Sequence, residues 1–185
     1  LLSEKPDEFQ LIESLRWTNA DGYFLMDYHL RRMEESARYF DFSFDKSEVE
    51  ARLYALCSRI NVACAKVRAL LSPEGFITLE WEPIQIDYSV PVKIAFALEP
   101  VDSSDVYLYH KTTRRYAHDH ARRNTALCDD TLLWNEKGEF TETCTANIAF
   151  QIGSELCTPP VSCGLLAGTY RQWLIDQGKL TEQIF

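Results

Sequence analysis

The chain has 185 residues, 46% hydrophobic and 25% charged, the make-up of an ordinary globular protein of one domain or two small ones. Nineteen Lys and Arg against 28 Asp and Glu leave a net charge of -9, which argues against nucleic acid or an anionic membrane surface as the main partner. A chain of this size buries about 70% of the surface it exposes when unfolded, so neither disulfides nor a metal is required to hold it together. The six cysteines, Cys57, Cys64, Cys128, Cys144, Cys157 and Cys163, show no C-x-x-C spacing and no pairing with histidines, so free thiols and no metal site are expected. The opening LLSEKPDEFQ has no apolar run of signal length and no stretch approaches 18 apolar residues, so no membrane association and a cytoplasmic location are expected.

In chain order, FQLIESLRW (Phe9 to Trp17) reads as a mostly apolar strand, and Asp21-Gly22 supplies a hairpin turn into Tyr23-Phe24-Leu25. Asp27 is then placed to cap a helix through about Phe40, with Leu30, Met33, Ala37 and Phe40 at three- and four-residue spacing on its buried face. A second helix, about Ser47 to Ile60, has a serine cap and carries Val49, Leu53, Leu56 and Ile60 on one face. Strands at Ala63 to Leu71 and Phe76 to Trp81 flank Ser-Pro-Glu-Gly, where proline presets φ and glycine accepts positive φ. A strand at Val92 to Leu98 completes an α+β unit, and the polar EPVDSSD segment (Glu99 to Asp105) marks a division into residues 1–99 and 100–185. Beyond it the pattern predicts a helix from Arg114 to Ala126, strands at Thr131 to Asn135 and Ile148 to Ile152 about a Lys137-Gly138 turn, and a helix from Thr169 to Gln177.

Three features have chemical potential. Lys111 lies between the apolar-aromatic Val106 to Tyr109 and the cationic Arg114-Arg115, a setting that can lower an amine's pKa and make it nucleophilic, although on these residues alone a surface lysine is the commoner explanation. Glu142 precedes a run of small residues, where a carboxylate can face a cavity or simply end a strand. GLLAGTYR (Gly164 to Arg171) is a glycine-bounded turn entering a helix, the kind of backbone N–H array that receives phosphate. The basic run Arg114, Arg115, Arg122 and Arg123 suits either a small anion or a solvated helix face. His29, His110, His118 and His120 read as structural or solvated, and the HDH triplet lacks a third ligand at metal-like spacing.

Together, Lys111, Glu142, the Gly168 turn and the Arg32 helix resemble, in order, the landmarks of fold type IV pyridoxal-phosphate (PLP) enzymes, the class IV aminotransferase family. FQLIESLRW, YHLRRMEESARYF, LYHKTTRRY, LLWNEKGEFTETCTANIAF and TPPVSCGLLAGTYRQWL are similar to the aminodeoxychorismate lyase-like domains often fused to aminodeoxychorismate synthase subunits. The most specific pieces are His110-Lys111-Thr112-Thr113 and the spacing from Glu142 to Asn147.

The resemblance implies a two-domain fold, α+β and α/β, of the D-amino-acid aminotransferase type: a small N-terminal domain (1–99) and a PLP-binding domain (100–185) that stops before the C-terminal helix and strand with which relatives continue. It implies that Lys111 carries PLP covalently, that Glu142 pairs with the ring nitrogen, and that Arg32 and the backbone N–H groups of Thr169 and Tyr170 grip the phosphate. Tyr116 falls where branched-chain members place a tyrosine on the cofactor's phenolic oxygen, Asn147 supports the Glu142 loop, and Ser14 falls where lyase members carry a threonine hydroxyl near the reacting carbon. Ala167 stands where the family usually has proline. The activity implied is release of pyruvate from 4-amino-4-deoxychorismate, giving 4-aminobenzoate for folate synthesis. The alternatives are an aminotransferase acting on branched-chain or D-amino acids and a non-catalytic relative. A small-molecule amino substrate and a homodimer are implied as partners.

Overall fold

The computed structural model describes residues 9–84, 90–123, 125 and 127–185. The polar entry before Phe9 and the expected helix end at Ala126 lie outside the described residues. By compactness the chain forms two units, residues 9–84 with Lys111–Arg114, and residues 90–110 with Arg115–Phe185.

The first unit is a four-stranded antiparallel sheet with two helices. Strand β1 (Leu11–Thr18) turns at Gly22, where φ is 73°, into the short β2 (Gly22–Tyr23), pairing Trp17 with Tyr23 as the Asp-Gly turn predicts. Helix α1 (Met26–Phe40) and helix α2 (Lys46–Cys57) follow, then β3 (Cys64–Leu71) and β4 (Ile77–Pro83), in the spatial order β2-β1-β3-β4. Alternation puts Leu11, Leu15 and Trp17 of β1 and Ala65, Val67, Ala69 and Leu71 of β3 on one face. That face packs against Leu30, Met33 and Ala37 of α1 and Val49, Leu53 and Leu56 of α2, the residues the helical period picks out.

Both helix caps differ from expectation. Leu25, in the left-handed region at φ 54°, precedes α1 and makes no side-chain cap bond, while Asp27 lies inside the first turn, where its charge favours the helix dipole. Asp45 rather than Ser47 caps α2, its Oδ1 accepting from the Glu48 N–H at 3.1 Å.

In the second unit, β5 (Ile94–Phe96) was expected to complete the first unit, but it pairs in parallel with a strand more than 30 residues later. A polar, proline-bearing segment looks like a linker in sequence, and nothing local signals a long-range parallel pairing. Helix α3 (Tyr116–Arg123) precedes β6 (Asp130–Trp134), which turns at Gly138 into β7 (Phe140–Thr143); the three strands order as β5-β6-β7. A second small sheet, β10-β9-β8, is built from β8 (Phe150–Ile152), β9 (Glu155–Thr158) and, after helix α4 (Thr169–Asp176), β10 (Thr181–Glu182). Ala97, Val101, Leu108, Ala121, Leu133 and Cys144 form this unit's core. Among the described residues no helix is long and apolar enough to cross a membrane.

Candidate active site

In the first unit, β1 carries one charged residue on its buried face. Glu13 alternates with Leu11, Leu15 and Trp17 and is 1% exposed. A carboxylate there is costly unless it is paired, and α1 supplies the partners: His29 and Arg32, three residues apart on one helix face, both reach it. Arg32 Nε donates to Oε1 at 2.8 Å and Nη2 to Oε2 at 2.6 Å, while His29 Nδ1 lies 2.6 Å from Oε2. Burial pushes the Glu13 pKa up, but the Arg32 charge and the hydrogen bonds from His29 and Arg32 outweigh it and hold the carboxyl at about 2. Arg32, read from sequence as a phosphate ligand, therefore has its Nε–Nη2 edge on Glu13.

Lys111 belongs to the same unit. Its carbonyl accepts from the Ile12 N–H at 2.9 Å, and the Thr113 N–H donates to the Gln10 carbonyl, so residues 111–113 run as a short antiparallel partner along β1. Thr112 pairs with Leu11 and is buried with it. The period of two then puts Lys111, opposite Ile12, on the sheet face that also carries Ser14 and Arg16, away from the helices.

In the second unit, Glu142 lies inside β7 and is 5% exposed rather than solvated at a strand end. Among the described residues three nitrogens surround it: Asn147 Nδ2 donates to Oε2 at 2.9 Å, and the Leu166 N–H (3.3 Å) and His118 Nε2 (3.2 Å) meet Oε1. Carboxylate oxygens accept hydrogen bonds, so the imidazole faces them with the tautomer that carries its hydrogen on Nε2. Asn147 also donates to the Leu166 carbonyl at 2.9 Å, tying the Glu142 loop to the segment that enters α4. Gly168 caps α4 without a side-chain bond, and a Cβ there would lie 1.8 Å from Asn147 Oδ1, so only glycine leaves room for Asn147. Arg171, 4% exposed, anchors the first turn of α4: Nη2 donates to the Pro159 carbonyl at 2.7 Å and to Glu182 Oε1 at 2.5 Å, while Nε and Nη1 find no partner among the described residues.

The backbone N–H groups of Thr169 and Tyr170 open α4, and the Tyr170 side chain is 54% exposed. Tyr116 opens α3 with 59% exposure. The basic run divides: Arg115 donates to the Cys144 carbonyl, whereas Arg122 and Arg123 are solvated. Glu13, His29, His118 and Arg171 escaped the sequence reading as site residues. Only Glu13 left a signal, as the one charged residue on an apolar alternation.

The family described as Amino-transferase class IV matches residues 10–184. The chain belongs to that family. A Schizosaccharomyces pombe protein provisionally named an aminodeoxychorismate lyase is 31% identical over 183 residues, covering 95% of this chain and 77% of the relative. A solved structure from Mesorhizobium loti, provisionally named an amino-acid aminotransferase, is 32% identical with a TM-score of 0.88, covering 96% of this chain and 87% of that one. A Legionella pneumophila structure, provisionally named a 4-amino-4-deoxychorismate lyase, shares the fold at 22% identity and a TM-score of 0.83, over 95% of this chain and 72% of that one. As a class IV aminotransferase family member the chain is a PLP-dependent enzyme. Its residues fit that cofactor: a buried carboxylate ringed by donors suits a protonated ring nitrogen, and a glycine turn opening a helix suits a phosphate.

Proposed function

We propose that this enzyme is a lyase acting on 4-amino-4-deoxychorismate, releasing pyruvate and leaving 4-aminobenzoate. The observation that carries the reading is the shared sheet face of Lys111 and Ser14: an amine able to take a proton lies on the same face as a hydroxyl able to give one. In this reading Lys111 would bind PLP covalently, Glu142 with Asn147 behind it would meet the ring nitrogen, and Arg32 with the Thr169 and Tyr170 N–H groups would bind the phosphate. Tyr116 would offer its phenol to the cofactor's phenolic oxygen. When bound, PLP supplies an electron sink for the carbon bearing the substrate's amino group.

Lys111, as a free amine, would remove the proton from that carbon. The bond from the ring to the enolpyruvyl oxygen then breaks, the ring becomes aromatic, and the departing enolpyruvate takes a proton at its methylene carbon to become pyruvate. Ser14 Oγ is the hydroxyl assigned to guide that proton. Folate synthesis, a cytoplasmic location and a homodimeric assembly belong to the same proposal and rest on the family resemblance.

Transamination is the second reading, favoured by the 32% identity to the Mesorhizobium loti protein named an aminotransferase. Incubation of the PLP-loaded enzyme with 4-amino-4-deoxychorismate, in parallel with a panel of D- and L-amino acids including the branched-chain ones, separates the two. Equimolar 4-aminobenzoate and pyruvate support the lyase; oxo-acid formation from an amino acid without pyruvate release overturns it.

A further inference from the structure

The two outer histidines of the HDH triplet have different surroundings. His120 is solvent-facing, with Glu99 at 3.9 Å, whereas His118 is 7% exposed beside Ala121 on the buried face of α3. An apolar side chain would satisfy that position's packing, and a buried imidazole is costly unless bonded. Its bond is to Glu142, Nε2 to Oε1 at 3.2 Å. The contact is fixed from both sides. One helical turn earlier, Arg115 donates to the carbonyl of Cys144, two residues past Glu142, and the Cys144 thiol donates back to the His118 carbonyl at 3.3 Å. The strand carrying Glu142 and the helix carrying His118 are therefore pinned together around the carboxylate.

Among the described residues, Asn147 alone serves Oε2 of Glu142, while Oε1 relies on the Leu166 N–H at 3.3 Å and on His118. Without the imidazole, Oε1 keeps a single long backbone donor. We propose that His118 is a positioning residue for Glu142, its buried Nε2 completing the donor set that holds the carboxylate in place and directed at the ring nitrogen of bound PLP. The proposal rests on the reading of Glu142 as that nitrogen's partner.

The test uses enzyme loaded with PLP labelled with 15N at the ring nitrogen, whose chemical shift distinguishes the protonated from the neutral ring. Glu142→Gln is the control and is expected to move the resonance toward neutral pyridine. His118→Phe, which keeps the bulk and removes the donor, is expected to move it at least half as far, with kcat lowered tenfold or more and KM within threefold. His118→Asn, polar but too short to reach Oε1, carries the same expectation. His118→Gln retains an N–H of suitable reach and is expected to restore the parent's shift and a kcat within threefold. The proposal is overturned if His118→Phe and His118→Asn keep the parent's shift and kcat while Glu142→Gln loses both. A parent-like shift in Glu142→Gln refutes instead the reading of Glu142, and the proposal falls with it.

Discussion

Gly168→Ala asks whether the Glu142 loop and the entrance to α4 are one mechanical unit. The backbone at Gly168, φ -62° and ψ 139°, suits any residue, so alanine meets no conformational strain of its own. Its Cβ would, however, stand 1.8 Å from Asn147 Oδ1 and 3.0 Å from Cγ, and the asparagine must leave. Leaving breaks its bond to the buried Glu142 carboxylate and its bond to the Leu166 carbonyl, each 2.9 Å. A hydrogen bond to a charged group is worth about 1.5 to 3 kcal/mol and a neutral one about 0.5 to 1.5, so the expected loss is roughly 2 to 4 kcal/mol. At about 2 to 4 °C per kcal/mol for a chain of this size, Tm of the cofactor-free protein should fall by roughly 5 to 15 °C. Asn147→Ala should cost about as much, and the double variant little more than either single one, because the clash vanishes with the asparagine. Melting of the four proteins by circular dichroism measures the cycle. Costs that add to within about 0.5 kcal/mol, or a Gly168→Ala protein as stable as its parent, would refute the coupling.

Borohydride reduction of the PLP-loaded enzyme followed by peptide mapping should place the label on Lys111; a label on Lys66 or Lys93 would show the wrong lysine has been assigned. Arg32→Ala should weaken PLP binding at least tenfold while leaving pyridoxal, which has no phosphate, bound within threefold, as expected if charge-assisted bonds to the phosphate are lost. Equal losses for both ligands would mean that Arg32 acts only as Glu13's structural partner. Glu13 makes an acid-dependent contribution to stability. Its folded pKa of about 2 lies below the ordinary 4.5, so the contribution is complete above about pH 4.5 and disappears as pH falls through 2. Holding the carboxyl that far down corresponds to on the order of 3 kcal/mol. Urea unfolding between pH 7 and pH 2.5 should show Glu13→Gln losing less stability on acidification than the parent, and identical pH dependence would exclude the assignment.

Local pattern by itself determined the elements of the first unit and the chemical identities at issue. The helical period of Leu30, Met33 and Ala37, the alternation along Leu11, Leu15 and Trp17, and the Asp21-Gly22 and Ser-Pro-Glu-Gly turns are written within a few residues of one another. Each is decided by backbone preference and solvent exclusion acting locally. Lys111, Glu142, Asn147 and the Gly168 turn were legible as a family pattern in fixed order. What those residues touch was not. Arg32 reads as a cation facing an anion, but its partner Glu13 lies 19 residues away on a strand, and the pair forms only once α1 packs across β1. Asp45 and Ser47 are both good caps by residue type, and only the geometry of the turn chose between them. β5 carried no local mark of its pairing with β6, because parallel strands are joined by long crossovers rather than turns. His118 and His120 are chemically identical two residues apart. The rotation of α3 alone puts one against a buried carboxylate and the other in water, since burial and partners belong to the folded chain and not to any residue's own chemistry.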